Sequence, residues 1–210
     1  MTHTRLQPGL YAITDNRLGG EFTVEAAVEQ AIRGGARVIQ YRDKQAGRKA
    51  RETTARRLAG LCRSHGIPLI INDDVGLAAR SGAAGVHLGR ADSPLLEARR
   101  QLGPAAIIGI SCYNNLDRAR AAVAGGADYV AFGRFFPSGS KPDAVPAAPA
   151  LLSRARDLLD VPLVAIGGIT PDNGAALLEA GADLLAAIEG VFGQPDIEAA
   201  ARRYAALFEP

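Results

Sequence analysis

Residues 70–92 read IINDDVGLAARSGAAGVHLGRAD, and the fold is legible from them outward. Two apolar runs flank VGLAARSG, whose spacing is helical; the first ends in Asn72, Asp73 and Asp74, the second runs out through Gly89 to Asp92. Both runs are apolar nearly throughout instead of alternating, the pattern of parallel strands covered on both faces by helices.

The same alternation fills the chain. GLYAIT, RVIQYR, PLIIND, GVHLG, AIIGIS, DYVAFG, PLVAIGG and DLLAAI are strand-like, and stretches with helical spacing lie between them. Eight such units predict an α/β fold, a compact (β/α)8 TIM barrel forming a single catalytic domain over residues 1–210 with little room for insertions. A doubly wound open sheet is the alternative, because strand number does not prove closure, and the lack of GxGxxG after the first strand counts against it. The pairs Gly35-Ala36, Gly82-Ala83, Gly126-Ala127 and Gly181-Ala182 precede strands and suggest a repeated turn. Ser93-Pro94 and Thr170-Pro171 each place a capping residue before a proline in a first helical turn.

With 210 residues and 48% hydrophobic content, the chain can bury a substantial core. Its 24 Lys and Arg against 22 Asp and Glu leave a net charge of +2, too balanced for a nucleic-acid or acidic-lipid surface. Cys62 and Cys112, fifty positions apart and in no CxxC or CxxH setting, read as reduced structural thiols. The N-terminus has no basic segment leading into a long apolar stretch, so a cytoplasmic protein is expected.

In such a barrel the C-terminal ends of the strands form the active face. Asp73 and Asp92, from adjacent loops there, could share one Mg²⁺, which prefers oxygen ligands and often takes one or two carboxylates plus substrate phosphates. Equally, Asp73, Asp74 or Asp92 could cap the helix that follows its strand. Gln40, Arg42 and Lys44 fall on one face of a strand end and suit a phosphate or pyrophosphate, and Lys141 adds a cation in a Ser/Gly-rich loop. The glycines of VAIGGIT, before Thr170-Pro171, suggest a second anion site or simply turn geometry. His87, inside the fourth strand, reads first as a hydrogen-bonded structural histidine and second as a site contact. No Ser-His-Asp or Cys-His set can be assembled.

The ordered set GLYAITD, VIQYRDK, PLIINDDVGLAARSGAAGVHLGRAD, IIGISCYN, ADYVAFGRFFPSGSKPDA and VAIGGITPDN resembles the thiamine phosphate synthase family over nearly the whole chain. The resemblance implies a transferase that joins 4-amino-5-hydroxymethyl-2-methylpyrimidine pyrophosphate to 4-methyl-5-hydroxyethylthiazole phosphate, releasing pyrophosphate and giving thiamine phosphate. Carried over by position, it implies that Gln40, Tyr41, Arg42, Asp43, Lys44, Asn72, Ser111 and Lys141 hold the pyrimidine pyrophosphate. Asp73 and Asp92 would hold Mg²⁺, and Ser138, Gly139, Ser140, Gly168, Ile188 and Glu189 would contact the thiazole phosphate. Arg42, Lys44, Ser111 and Lys141 would stabilise the departing pyrophosphate in a dissociative substitution.

Some positions depart from the family pattern. Tyr41 and Asp43 stand where Leu and Glu are often found, with side chains expected to point away from the site; Ser138 and Ser140 stand where Thr is common. Glu189 replaces a frequent Ser, and its carboxylate would repel a phosphate unless it turned away. The expected partners are the two small-molecule substrates, with no nucleic acid and no membrane, and a homo-oligomer is compatible with the sequence. A thiazole tautomerase of the same fold would not need the full pyrophosphate and Mg²⁺ set, and a non-catalytic precursor-binding barrel would bind without releasing pyrophosphate.

Overall fold

The computed structural model describes residues 6–15, 23–137 and 145–209. Strands β1 (Gly9–Ile13), β2 (Ala36–Tyr41), β3 (Leu69–Asn72), β4 (Gly85–Leu88), β5 (Ile107–Tyr113), β6 (Tyr129–Phe132), β7 (Leu163–Ile166) and β8 (Leu184–Ala187) pair in parallel in chain order. β8 returns to β1 through Leu10↔Leu185 and Ala12↔Ala187, so the sheet closes and the open-sheet alternative falls. The helices between strands are α1 (Val24–Arg33), α2 (Arg48–Ser64), α3 (Val75–Ser81), α4 (Leu95–Leu102), α5 (Leu116–Ala124), α6 (Ala150–Arg156) and α7 (Ala175–Glu179). After β8 come α8 (Glu189–Phe192) and α9 (Ile197–Ala205).

Alternation along each strand divides the core in two. Leu10, Ala12, Ile39, Tyr41, Ile71, Leu88, Val130 and Leu185 face outward and pack with Val28, Leu58, Ala98 and Leu152 of the helices. Tyr11, Ile13, Val38, Ile70, Ile107, Tyr129, Val164 and Leu184 face inward and fill the barrel, with Leu6 among them. Both faces are therefore buried, which is why the strands read as continuous apolar runs.

The Gly-Ala pairs have a common cause. Gly35, Gly82, Gly126 and Gly181 all adopt positive φ, at 99°, 73°, 92° and 108°, where a side chain would be strained, and each turns the chain from a helix toward the next strand. At two of these turns a following aspartate repeats one device. Asp128 accepts the Ile108 N–H at 2.8 Å and pairs with Arg99, while Asp183 accepts the Leu163 N–H at 2.7 Å and pairs with Arg156.

The proline-led helix starts differ from expectation. α4 begins at Leu95 with Pro94 as its N-cap and no side-chain cap, so Ser93 does not serve there. After Pro171 the chain first makes a turn, with the N–H groups of Asn173 and Gly174 donating to the Thr170 carbonyl. The Asn173 side chain ties this turn, accepting from the Thr170 N–H at 2.8 Å and donating to the Gly168 carbonyl at 3.0 Å.

Candidate active site

A cavity of about 380 Å³ opens where the strands end. Gln40, Arg42, Lys44, Asn72, Asp73, Asp92, Ser111, Gly168, Ile188 and Glu189 all line it, so ten of the positions expected from sequence converge on one place. Lys141, Ser138, Gly139 and Ser140 lie outside the described residues.

Tyr41 and Asp43 do not line the cavity, for a reason of parity. Val38 and Gln40 point into the barrel, so Tyr41 points out and is buried in the layer between sheet and helices. Its hydroxyl donates to Asp43 at 3.4 Å, and Asp43 in turn accepts the N–H groups of Gln45 and Ala46, both at 2.9 Å, shaping the turn into α2. Burial, then the nearby Asp43 charge, pushes the Tyr41 hydroxyl up to about 12. A side-chain contact from either residue to the pyrimidine substrate is not supported by this placement.

The cations on the β2 end are positioned by β1. Thr14 Oγ1 accepts the Arg42 N–H at 3.0 Å and donates to the Arg42 carbonyl at 3.3 Å, extending the strand pairing by a side chain. Asp15, only 4% exposed, holds the Arg42 guanidinium at 3.4 Å. Lys44 stands 3.7 Å from Asp73 with its ammonium largely in water.

The three aspartates separate by role. Asp74 is the N-cap of α3, accepting the Leu77 N–H at 2.7 Å. Asp73 sits at φ 64°, a left-handed conformation uncommon for a residue with a side chain, and lines the cavity. Asp92 makes no cap on α4; its carboxylate turns back to accept the Gly89 N–H at 2.6 Å and also lines the cavity. Among the described residues no group of three or more His, Cys, Asp or Glu could hold a metal ion by itself. An all-oxygen pair of this kind fits Mg²⁺, which keeps waters and draws further ligands from substrate phosphates, and does not fit a closed zinc site.

The far wall is built from glycines. Gly167 and Gly168 have φ of 105° and 62°, and a Cβ on Gly168 would collide with the Pro137 carbonyl. Phe135 and Phe136 donate N–H groups to the carbonyls of Ile166 and Gly167, so the loop after β6 lies directly on the turn after β7. Turn geometry therefore requires these glycines, whatever they bind. Tyr204 of α9 donates to the Ile169 carbonyl at 2.7 Å and packs against Gly190, whose missing side chain gives it room.

Beneath the cavity lies a polar chain that the sequence did not announce. Gln40 Nε2 donates to Tyr11 Oη at 2.9 Å, Tyr11 Oη meets Tyr129 Oη at 2.7 Å, Tyr129 Oη meets His87 Nδ1 at 2.9 Å, and His87 Nε2 meets Ser111 Oγ at 2.8 Å. His87 is thus both a hydrogen-bonded core residue and a lining residue. Tyr11, Tyr129 and Asn173 were missed as site residues, and Asp15 stood among the polar strand-end residues without a role. Their signal was only positional: Asp15 follows a strand end, and a tyrosine hydroxyl inside a barrel needs a partner. Arg90 and Arg134 also line the cavity, Arg90 with its guanidinium 5.1 Å from the Tyr113 ring centre.

Known proteins similar to this chain in sequence and in fold point to one family. The family model described as thiamine monophosphate synthase matches residues 10–191. A thiamine-phosphate synthase of Thioalkalivibrio sulfidiphilus is 54% identical over 201 residues, covering 96% of this chain and 95% of the relative. One from Aromatoleum aromaticum is 51% identical over 209 residues, covering 100% of both. The solved structure of a thiamine phosphate pyrophosphorylase from Pyrococcus furiosus superposes with a TM-score of 0.88 at 34% identity, covering 98% of this chain and 97% of that one.

Proposed function

The chain belongs to the thiamine monophosphate synthase family and works as a thiamine-phosphate synthase, an alkyl transferase, and from that premise we propose how its residues divide the reaction. The substrates are 4-amino-5-hydroxymethyl-2-methylpyrimidine pyrophosphate and 4-methyl-5-hydroxyethylthiazole phosphate; the products are thiamine phosphate and pyrophosphate. The observation that carries this reading is the meeting of Gln40, Arg42 and Lys44 with Asp73 and Asp92 on the wall of one cavity. Cations and carboxylates so mixed suit a metal-bound pyrophosphate better than a bare phosphate.

Asp73 and Asp92 would hold Mg²⁺, which when bound supplies charge neutralisation to the pyrophosphate leaving group. Arg42, oriented by Asp15, and Lys44 donate to the same leaving oxygens, and Ser111 donates to it from the opposite wall. Lys141, on sequence grounds, adds a fourth donor. The carbon–oxygen bond breaks with its electron pair leaving on pyrophosphate, and the aminopyrimidine ring stabilises the methylene cation. The thiazole nitrogen then donates its lone pair to that carbon. No residue has to remove a proton, which suits a site with charge-stabilising and positioning groups but no catalytic triad.

The thiazole phosphate would sit toward Gly168, Ile188 and Glu189, with Ser138, Gly139 and Ser140 assigned from sequence alone. Glu189 has no ion-pair partner among the described residues, so its charge opposes a phosphate placed there. The test is formation of thiamine phosphate and pyrophosphate by purified protein with both substrates, with and without Mg²⁺, and with each substrate omitted. Metal-dependent formation of both products in equal amounts is expected; product formation unaffected by removal of all divalent metal would overturn the metal assignment.

A further inference from the structure

The polar chain inside the barrel joins two residues assigned to the same substrate from opposite walls. Its middle member, Tyr129, is 0% exposed and has no surface on the cavity, so it cannot touch a substrate. The chain is built deliberately into the strand register. His87 pairs with Gly109 and Gly109 with Tyr129, and a Cβ on Gly109 would fall within the Tyr129 ring. The glycine thus lets the His87 and Tyr129 rings stack across it, 5.5 Å apart and 25° from parallel.

Each hydroxyl in the chain carries one proton, and a neutral imidazole carries one N–H. With Gln40 Nε2 donating to Tyr11, the Tyr11 proton goes to Tyr129 and the Tyr129 proton to His87 Nδ1. The imidazole then carries its proton on Nε2 and donates to Ser111 Oγ, leaving the Ser111 hydroxyl proton for the cavity. Turning the Gln40 amide over reverses every link and takes that proton away from the cavity. Burial raises the pKa of both tyrosines well above the ordinary phenol value, so both keep the protons the chain needs.

We infer that Tyr11, Tyr129 and His87 are positioning residues that couple Gln40 to Ser111, so that the donor and acceptor faces these two present to the pyrimidine pyrophosphate are set together. The inference rests on the assignment of Gln40 and Ser111 to that substrate. A hydrogen-bond chain of this kind orients its ends as a unit, and its contribution is measured only by a mutant cycle.

The experiment is a cycle of Tyr129→Phe and Ser111→Ala, with Gln40→Ala alongside, measuring kcat and KM for each substrate and the thermal midpoint. Tyr129→Phe keeps the ring in the space above Gly109. It is expected to lower kcat/KM for the pyrimidine pyrophosphate about tenfold, the scale of a misaligned reacting group, while KM for the thiazole phosphate stays the same. In the Ser111→Ala background the same substitution is expected to cost much less. An equal fold-loss in both backgrounds, or a KM for the thiazole phosphate that rises along with the loss, would reduce Tyr129 to a structural role and overturn the inference. If Tyr129→Phe does not fold, Tyr11→Phe takes its place in the cycle; Tyr11 does not touch Ser111 either but does line the cavity, so the readout there is its coupling to Ser111 and not its loss alone. If Gln40→Ala and Ser111→Ala both leave kcat/KM unchanged, the assignment of the pyrimidine site itself has failed, and the inference falls with it.

Discussion

Asp73 and Asp74 are neighbours in the chain and do different work: Asp74 accepts the Leu77 N–H at 2.7 Å and starts α3, while Asp73, at φ 64°, lines the cavity beside Lys44. The two adjacent strands ending in carboxylates thus differ as well, since Asp92 caps nothing and is held by the Gly89 N–H at 2.6 Å. Substitutions should separate stability from turnover. Asp74→Ala is expected to cost about 1 kcal/mol in urea unfolding, the usual value of an N-cap, and to leave the Mg²⁺ dependence of the reaction in place. Asp73→Asn and Asp92→Asn should fold as the parent does and lose most turnover, with the Mg²⁺ requirement shifted to higher concentration. An unchanged Mg²⁺ titration in both would remove these residues from the metal site.

Asp15 acts through Arg42. Its carboxylate is buried and 3.4 Å from the guanidinium, whereas the guanidinium itself reaches the cavity. Asp15→Asn keeps the size of the side chain and removes the charge that aims Arg42 at the leaving group. Loss of kcat/KM for the pyrimidine pyrophosphate by about ten- to a hundredfold is expected, with KM for the thiazole phosphate unaltered. Kinetics unchanged in both substrates would show that Arg42 needs no such support.

The strands were legible because burial on both faces leaves nothing to alternate, and all eight apolar runs became barrel strands. Gln40, Arg42 and Lys44 were legible by parity, and the same parity turned Tyr41 away. Asp73 and Asp74 could not be told apart beforehand, because cap and ligand use the same side chain and only the backbone angle at residue 73 decides between them. The chain from Gln40 to Ser111 was invisible for a different reason. Its members lie on five strands, and Tyr11 and Tyr129 read as ordinary apolar strand residues until the closed sheet brings their hydroxyls within 2.7 Å. Local pattern carries secondary structure; contacts that depend on barrel closure do not appear in it.

Glu189 lines the same cavity as Gly168, which is assigned to the thiazole phosphate. If its charge opposes the phosphate there, Glu189→Gln should lower KM for the thiazole phosphate by up to about fivefold, the scale of a solvent-screened charge interaction of roughly 1 kcal/mol, with little change for the pyrimidine pyrophosphate. The effect should shrink at high salt. A higher KM in the glutamine variant would instead mean that the carboxylate takes part in binding.

Alkaline solution should weaken the fold before it changes the site. Cys62 and Cys112 are buried against the barrel, and burial pushes both thiols up to about 12 from an ordinary 9.0. Tyr41 and Tyr204 are likewise raised from 10.0 to about 12, chiefly by burial. Above pH 9 the unfolded chain therefore releases thiol protons that the folded chain retains, and above pH 10 it releases phenol protons too. The folded state then binds more protons than the unfolded state, so the free energy of unfolding falls as pH rises, by about 1.4 kcal/mol per pH unit for each group inside its window. Below pH 9 this contribution is fully present. Urea unfolding at pH 8, 9, 10 and 11 should show a level midpoint up to about pH 9 and a steepening decline beyond it. In the Cys62→Ala/Cys112→Ala variant, weaker at every pH from lost packing, the decline should begin only near the tyrosine window, about one unit later. A midpoint in the parent that stayed level to pH 11 would mean that the thiols and phenols are open to water in the folded chain, contrary to their burial.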